Sequence, residues 1–175
     1  MSLVPKEVYE ELKDYCSRLA QRGYVTAHGG NASIKAGNLM WITRHASSLE
    51  KLRFEDVIQV YLDKPSSFDA LSSIETIVHR QIYLETPNLA VLHAHPPNSV
   101  ALSFFMNEII PLDTEGYYVL RKIPVVEGSP GSLELAKNVA EALKTHYAVV
   151  VRGHGVFSAA KYMDTAYQYL CMVEH

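Results

Sequence analysis

Four short stretches hold residues able to do chemistry. In "LAVLHAHPPNSV", residues 89–100, an apolar run ends on His93 and His95, one residue apart. In a strand, side chains at i and i+2 share a face, roughly 6–7 Å apart. Two imidazoles so placed reach one ion at about 2.0–2.1 Å per nitrogen. "AVVVRGHG", residues 148–155, repeats the logic: an apolar strand stops, and His154 stands between two glycines that allow a sharp turn and close access. His93, His95 and His154 make a three-nitrogen set, the usual count of protein ligands in a catalytic zinc site with one open position. Imidazole suits zinc, and also cobalt, nickel or iron. Taken alone, His-x-His also fits two polar residues closing a strand at the surface.

The other two stretches would serve such an ion. In "SSIETIVH", residues 72–79, Glu75 falls on the first turn of an expected helix. A carboxylate aimed at the metal's open position moves protons, but Ser72-x-x-Glu75 equally fits a capping box. His79, one turn later, reads as a packed helix residue and not a ligand. In "HGGNASI", residues 28–34, Gly29-Gly30-Asn31 can form a nest of backbone N–H groups for an anion, with Asn31 and Ser33 adding polar side chains. The same tripeptide is common in turns that bind nothing.

The elements that must position these residues follow from periodicity. Residues 5–22 carry Val8, Leu12, Tyr15, Cys16 and Leu19 at helical spacing, with Gly23 as a stop. "ASIKAGNLMWIT" reads as a hairpin turning at Gly37-Asn38. Strands are expected at 56–62, 89–95, 124–132 (strand and turn) and 147–155. Helices are expected at 74–85, at 133–145 with Ser132 as N-cap, and at 162–175. Residues 63–73 form a loose polar segment. Helices and strands mix throughout, so the class is α/β or α+β, with helices covering a sheet that is antiparallel in part.

Composition bounds the function. The 175 residues suit one domain, 1–175, and 48% hydrophobic with 20% charged residues fits a water-soluble globular protein. A formal net charge of −3 without a Lys/Arg block argues against nucleic acid and anionic membranes as partners. The two cysteines, Cys16 and Cys171, are in no CxxC pair, which favours a reducing compartment. No signal-peptide pattern opens the chain, and no apolar run nears the ~18 residues of a membrane span. A cytoplasmic location is expected.

Together "GGNASIK", "ITRHASSLEKL", "SSIETIVHRQIY", "AVLHAHPPNSVALS" and "VVVRGHGVFSAA" resemble the class II aldolase/adducin family over roughly residues 8–175. The ordered set carries the resemblance; no single stretch does. It implies a three-layer αβα domain with a mixed central sheet, as a homotetramer with sites between subunits. It implies a divalent metal, normally Zn2+, on His93, His95 and His154, and Glu75 as the acidic proton carrier. Asn31 and Ser73 match positions that bind substrate phosphate, beside Gly30. The implied chemistry is a lyase reaction: a ketose 1-phosphate cleaves to dihydroxyacetone phosphate and an aldehyde through an enediolate.

Departures from the pattern mark the substrate side. His28 stands where the family often has Thr or Ser. "TRHA", residues 43–46, replaces a segment that commonly ends in glycine, leaving Arg44 and His45 for a phosphate or a carboxylate. Ile74 separates Ser73 from Glu75. In "PLDTEGYY", Glu115 stands where aldolases place a tyrosine and the dehydratase branch a glutamate. Glu115 is expected on a loop between Pro111 and Gly116 as the second proton carrier, ahead of Tyr117 and Tyr118. The alternatives are a dehydratase, epimerase or decarboxylase on the same metal site, and an adducin-like interaction module, a branch that lacks the metal histidines.

Overall fold

The computed structural model describes residues 4–175. Its centre is an eight-stranded sheet in the order β3-β2-β1-β4-β8-β7-β6-β5. The strands are β1 Asn31–Ala36, β2 Leu39–Thr43, β3 Val57–Tyr61, β4 Ala90–Ala94, β5 Glu108–Ile109, β6 Ile123–Val126, β7 Ala148–Val151 and β8 Gly155–Ala160. Every neighbouring pair is antiparallel except β6 and β7. Ala36 pairs with Leu39, so the β1–β2 hairpin turns at Gly37-Asn38 as its sequence requires.

Alternation along the central strands feeds two cores. Ala90, Leu92, Ala94, Val150 and Val156 face helices α1 (Lys6–Gln21) and α6 (Met163–Glu174), meeting Leu12, Cys16, Leu19 and Leu170. Val91, Val149, Val151 and Phe157 face α2 (Thr76–Glu85) and α5 (Leu133–Leu143), meeting Val78, Ile82, Leu135 and Val139. The expected αβα layering is therefore present. The odd-numbered face of β4 carries His93 toward the α2–α5 layer, and β1 carries Asn31 and Ser33 toward the same layer. Asn31 pairs directly with His93 across β1 and β4.

Several local expectations need correction. Residues 147–155 hold not one strand but β7 and the turn that opens β8, so His154 sits on a β-turn. The triad thus gathers beyond the carboxyl ends of the central strands β4 and β7. The short helices α3 (Pro97–Leu102) and α4 (Thr114–Val119) were not anticipated. Glu115 lies in the first turn of α4, where loop was expected. Asp113 caps that helix by accepting the Gly116 N–H at 2.8 Å. Gly116 is small because a Cβ there would fall 2.6 Å from Asp113 and 2.7 Å from Pro111, not because the backbone needs freedom. Residues 67–71 wind into a short 3-10 turn inside the expected loose segment. Ser132 does cap α5, accepting the Leu135 N–H at 3.0 Å.

Candidate active site

The β4 strand brings His93 up inside the sheet, and His95 follows just past its end. The β7–β8 turn brings His154 against them. Nε2 of His93 lies 3.0 Å from Nε2 of His95 and 3.3 Å from Nε2 of His154. A Cβ at Gly155 would strike the Ala94 carbonyl oxygen and come within 2.9 Å of the His93 ring, so glycine is what lets the turn pack this closely.

The donor chemistry of this cluster fits a metal ion. His93 Nδ1 is 3.0 Å from the Val156 carbonyl, which only accepts, so Nδ1 holds the proton and Nε2 presents its lone pair. Burial first, and the neighbouring imidazoles second, hold the His93 pKa well below its usual value. Burial likewise lowers His95, and lowers His154 to about 4 with help from His95. Three neutral imidazoles converging on one point are a ligand set that needs no deprotonation to bind zinc. Their available nitrogens all lie within 4.8 Å of one another.

Glu75 does not cap the helix through its side chain. It occupies the N-cap position of α2, while Ser72 Oγ donates to the Asp69 carbonyl and accepts from Thr76. The expected capping box is absent because Ser72 is engaged with the preceding turn. The Glu75 carboxyl is instead 3% exposed, with Oε1 accepting the Gly131 N–H at 3.2 Å. Gly131 has φ 69, and a Cβ there would lie 2.9 Å from the Ile74 carbonyl, so only glycine brings that N–H so near. Glu75 Oε2 and His154 Nδ1 are buried without a partner, and both residues line one cavity of about 310 Å³. Orphaned buried polar atoms are rare and mark a place for a ligand. Burial pushes the Glu75 pKa up to about 7, weakly opposed by the Gly131 N–H.

That cavity gathers most of the anticipated residues. Gly30, Asn31, Arg44, His45, Ser73, Glu75, His93, His95 and His154 all line it. Sequence reasoning missed the "SPG" turn, which supplies Pro130 and the Gly131 N–H; His28, noted there only as a departure, donates from Nδ1 to the Ala46 carbonyl at 2.8 Å and ties the two substrate-side segments together. Ala46 holds φ 56, a conformation costing a non-glycine residue roughly 1–2 kcal/mol, where the family often has glycine. Ser33 does not line the cavity; it turns into the α2 layer and meets His79 and Tyr83. His79 is packed in the core, as its position in the helix suggested. Glu115 is exposed on α4 and lines a different cavity, with Arg22, Tyr24 and Glu174. Within one chain it is separate from the histidines.

Residues 10–175 match the model of the class II aldolase and adducin N-terminal domain. This chain belongs to that family. It is 34% identical over 160 residues to an L-fuculose phosphate aldolase of Methanococcus maripaludis, covering 87% of this chain and 84% of that one. It is 33% identical over 168 residues to a methylthioribulose-1-phosphate dehydratase of Gluconobacter oxydans, covering 85% and 79%. The crystal structure of L-fuculose-1-phosphate aldolase from Thermus thermophilus superposes with a TM-score of 0.91 at 32% identity, covering 97% of this chain and 90% of that one. Aldolases and dehydratases are thus both among its relatives. Among the described residues, no helix is long and apolar enough to cross a membrane.

Proposed function

We propose that this chain is a zinc-dependent lyase of the cytoplasm that cleaves a ketose 1-phosphate of the L-fuculose-1-phosphate kind to dihydroxyacetone phosphate and an aldehyde. The observation that carries the reading is the shared cavity: three neutral imidazoles and a carboxyl with a pKa of about 7 line the same space. A divalent cation held by His93, His95 and His154 would supply Lewis acidity toward the oxygens of the sugar as they gain negative charge. Glu75 titrates close to neutral pH, so it can both give and take the proton at the carbon that becomes the nucleophile. Asn31, Ser73 and the backbone at Gly30 bind the phosphate, with Arg44 and His45 at the exposed mouth balancing its charge.

The hydroxyl that becomes the aldehyde carbonyl must lose its proton to a second carrier. Glu115 takes this role, reaching the cavity from a second copy of the chain in a homotetramer. Two facts support the arrangement: Glu115 lines a different cavity from the histidines of its own chain, and its chain neighbours Leu112, Tyr117 and Tyr118 are 100%, 57% and 75% exposed, apolar surface that a second copy could cover. The dehydratase alternative keeps the same site, and Glu115, a glutamate where aldolases have tyrosine, is the feature that favours it. In that reading Glu115 helps expel a hydroxyl as water. A product assay on a panel of ketose 1-phosphates separates them. A triose phosphate plus an aldehyde supports the aldolase; loss of water with the carbon count intact supports the dehydratase.

A further inference from the structure

Behind Asn31 lies a chain of buried polar groups that the chemistry above does not use. His79 on α2 is fully buried, with Nε2 2.6 Å from Asn31 Oδ1 and Nδ1 2.7 Å from Ser33 Oγ. Ser33 Oγ is 2.8 Å from the Tyr83 hydroxyl, which donates to the Ser33 carbonyl at 2.9 Å. Ser33 and His79 are both fully buried, and Tyr83 is 2% exposed. Four polar side chains from two elements have been placed in an apolar layer, where each unpaired group would cost about 1–3 kcal/mol. Burial lowers the His79 pKa to about 3, so the ring is neutral and carries one proton to share between its two neighbours.

Two proton arrangements satisfy this line of groups. In the first, Ser33 Oγ–H donates to His79 Nδ1, and His79 Nε2–H donates to Asn31 Oδ1. The Asn31 amide then keeps both N–H donors of Nδ2 for the cavity it lines. In the second, Ser33 donates to Tyr83, His79 Nδ1–H donates to Ser33, and the Asn31 amide is turned so that its nitrogen donates to Nε2. That state aims the amide oxygen at the cavity, where it would repel an anion. The tautomer of one core histidine therefore decides whether Asn31 offers the cavity donors or an acceptor.

We infer that Ser33 and His79 are positioning residues for anion binding, holding His79 as the Nε2–H tautomer so that the Asn31 amide presents its N–H groups to the substrate phosphate. The inference rests on the reading of this cavity as a phosphate site. It explains why a serine and a histidine occupy core positions that Ala and Leu would fill at no polar cost, and why Ser33 turns away from the pocket that its neighbour Asn31 lines.

The test is made on the purified protein with inorganic phosphate as probe. Nitrogen NMR of the wild-type histidines should show His79 protonated at Nε2 and bare at Nδ1. Ser33→Ala, which removes one oxygen and leaves little void, should weaken inorganic phosphate at least tenfold and move His79 toward the other tautomer, with metal content unchanged. It should also raise KM for a ketose 1-phosphate by more than it lowers kcat, the signature of lost binding rather than lost chemistry. Asn31→Ala is the control for the underlying reading. If Asn31→Ala leaves phosphate affinity unchanged, the phosphate site itself is wrong and the inference falls with it. If Asn31→Ala weakens phosphate but Ser33→Ala does not, or if wild-type His79 carries its proton on Nδ1, the phosphate site stands and the positioning role is overturned. The wild-type tautomer decides the matter even where a variant folds poorly.

Discussion

The rim where β1, β4 and the β7–β8 turn meet and the segment from α3 to α4 lie at opposite extremes of burial. At the rim, His93 is 1% exposed and Glu75 3%, and the ring, carboxyl and amide of His93, Glu75 and Asn31 each rest on another part of the same chain. Between the end of α3 and the end of α4, Phe105, Leu112, Tyr117 and Tyr118 are exposed, and Glu115 with them. The contrast teaches that one chain brings the three histidines and Glu75 to a single cavity while Glu115 stays on another surface; on the proposed reading, a second copy of the chain carries Glu115 to that cavity.

Substitutions should divide along that line. The largest effect is expected at the histidines: His93→Ala should lose the metal and drop turnover to background, beyond the ~10²–10⁴-fold of a lost proton carrier. Elemental analysis beside a turnover assay would show it. Glu75→Gln should keep the metal and the α2 helix, since no cap depends on the carboxyl, yet lower turnover by ~10²–10⁴-fold; near-normal turnover would return Glu75 to a packing role. For Glu115→Gln a fall of at least ~10²-fold with full metal content is expected. Reassembling Glu75→Gln and Glu115→Gln subunits together should recover part of the activity, because some sites then draw both good residues from different copies. No recovery would place Glu115 outside the site and leave Tyr117 and Tyr118 to be tested.

The smallest expected effect concerns stability and pH. Glu75 has a folded pKa of about 7 against an ordinary value of 4.5. Between those values the native state holds a proton that the unfolded chain has released, so its contribution is present below pH 4.5 and is lost as pH rises to 7. The total is about 3 kcal/mol at most. In chelator-treated protein His79, His93, His95 and His154, whose pKa values burial lowers, push stability the opposite way. Glu75 is therefore read from the difference between wild type and Glu75→Gln in denaturant titrations, which should fall as pH rises from 4.5 to 7.

Much of this was legible in the sequence because strands and metal ligands leave short-range patterns. The period-two alternation of β4 placed His93 and His95, the Gly-Asn pair set the β1–β2 hairpin, and the heptad-like spacing of α1 is what the structure shows. The β7–β8 turn was harder, since "VVVRGHGVFSAA" is apolar on both sides of two glycines and reads equally well as one strand and a loop. The Ser72-x-x-Glu75 spacing misled because a capping box depends on where the helix begins, and the preceding 3-10 turn captured Ser72. The Gly131 N–H on Glu75 joins residues 56 positions apart, and the line from Tyr83 to Asn31 crosses from helix to strand. No local pattern encodes contacts of that kind. Glu115 was expected on a loop because Pro111 and Gly116 look like breakers, whereas Asp113 turns that same stretch into a capped helix.

The central claim is that His93, His95 and His154 form one metal site, and metal content per chain tests it most directly. Purified wild-type protein should hold about one divalent metal per chain, zinc first, as a three-histidine site with an open position requires. His93→Ala, His95→Ala and His154→Ala should each lose it. A wild-type protein that binds no metal when supplied with zinc, or three variants that all retain it in full, would contradict the account.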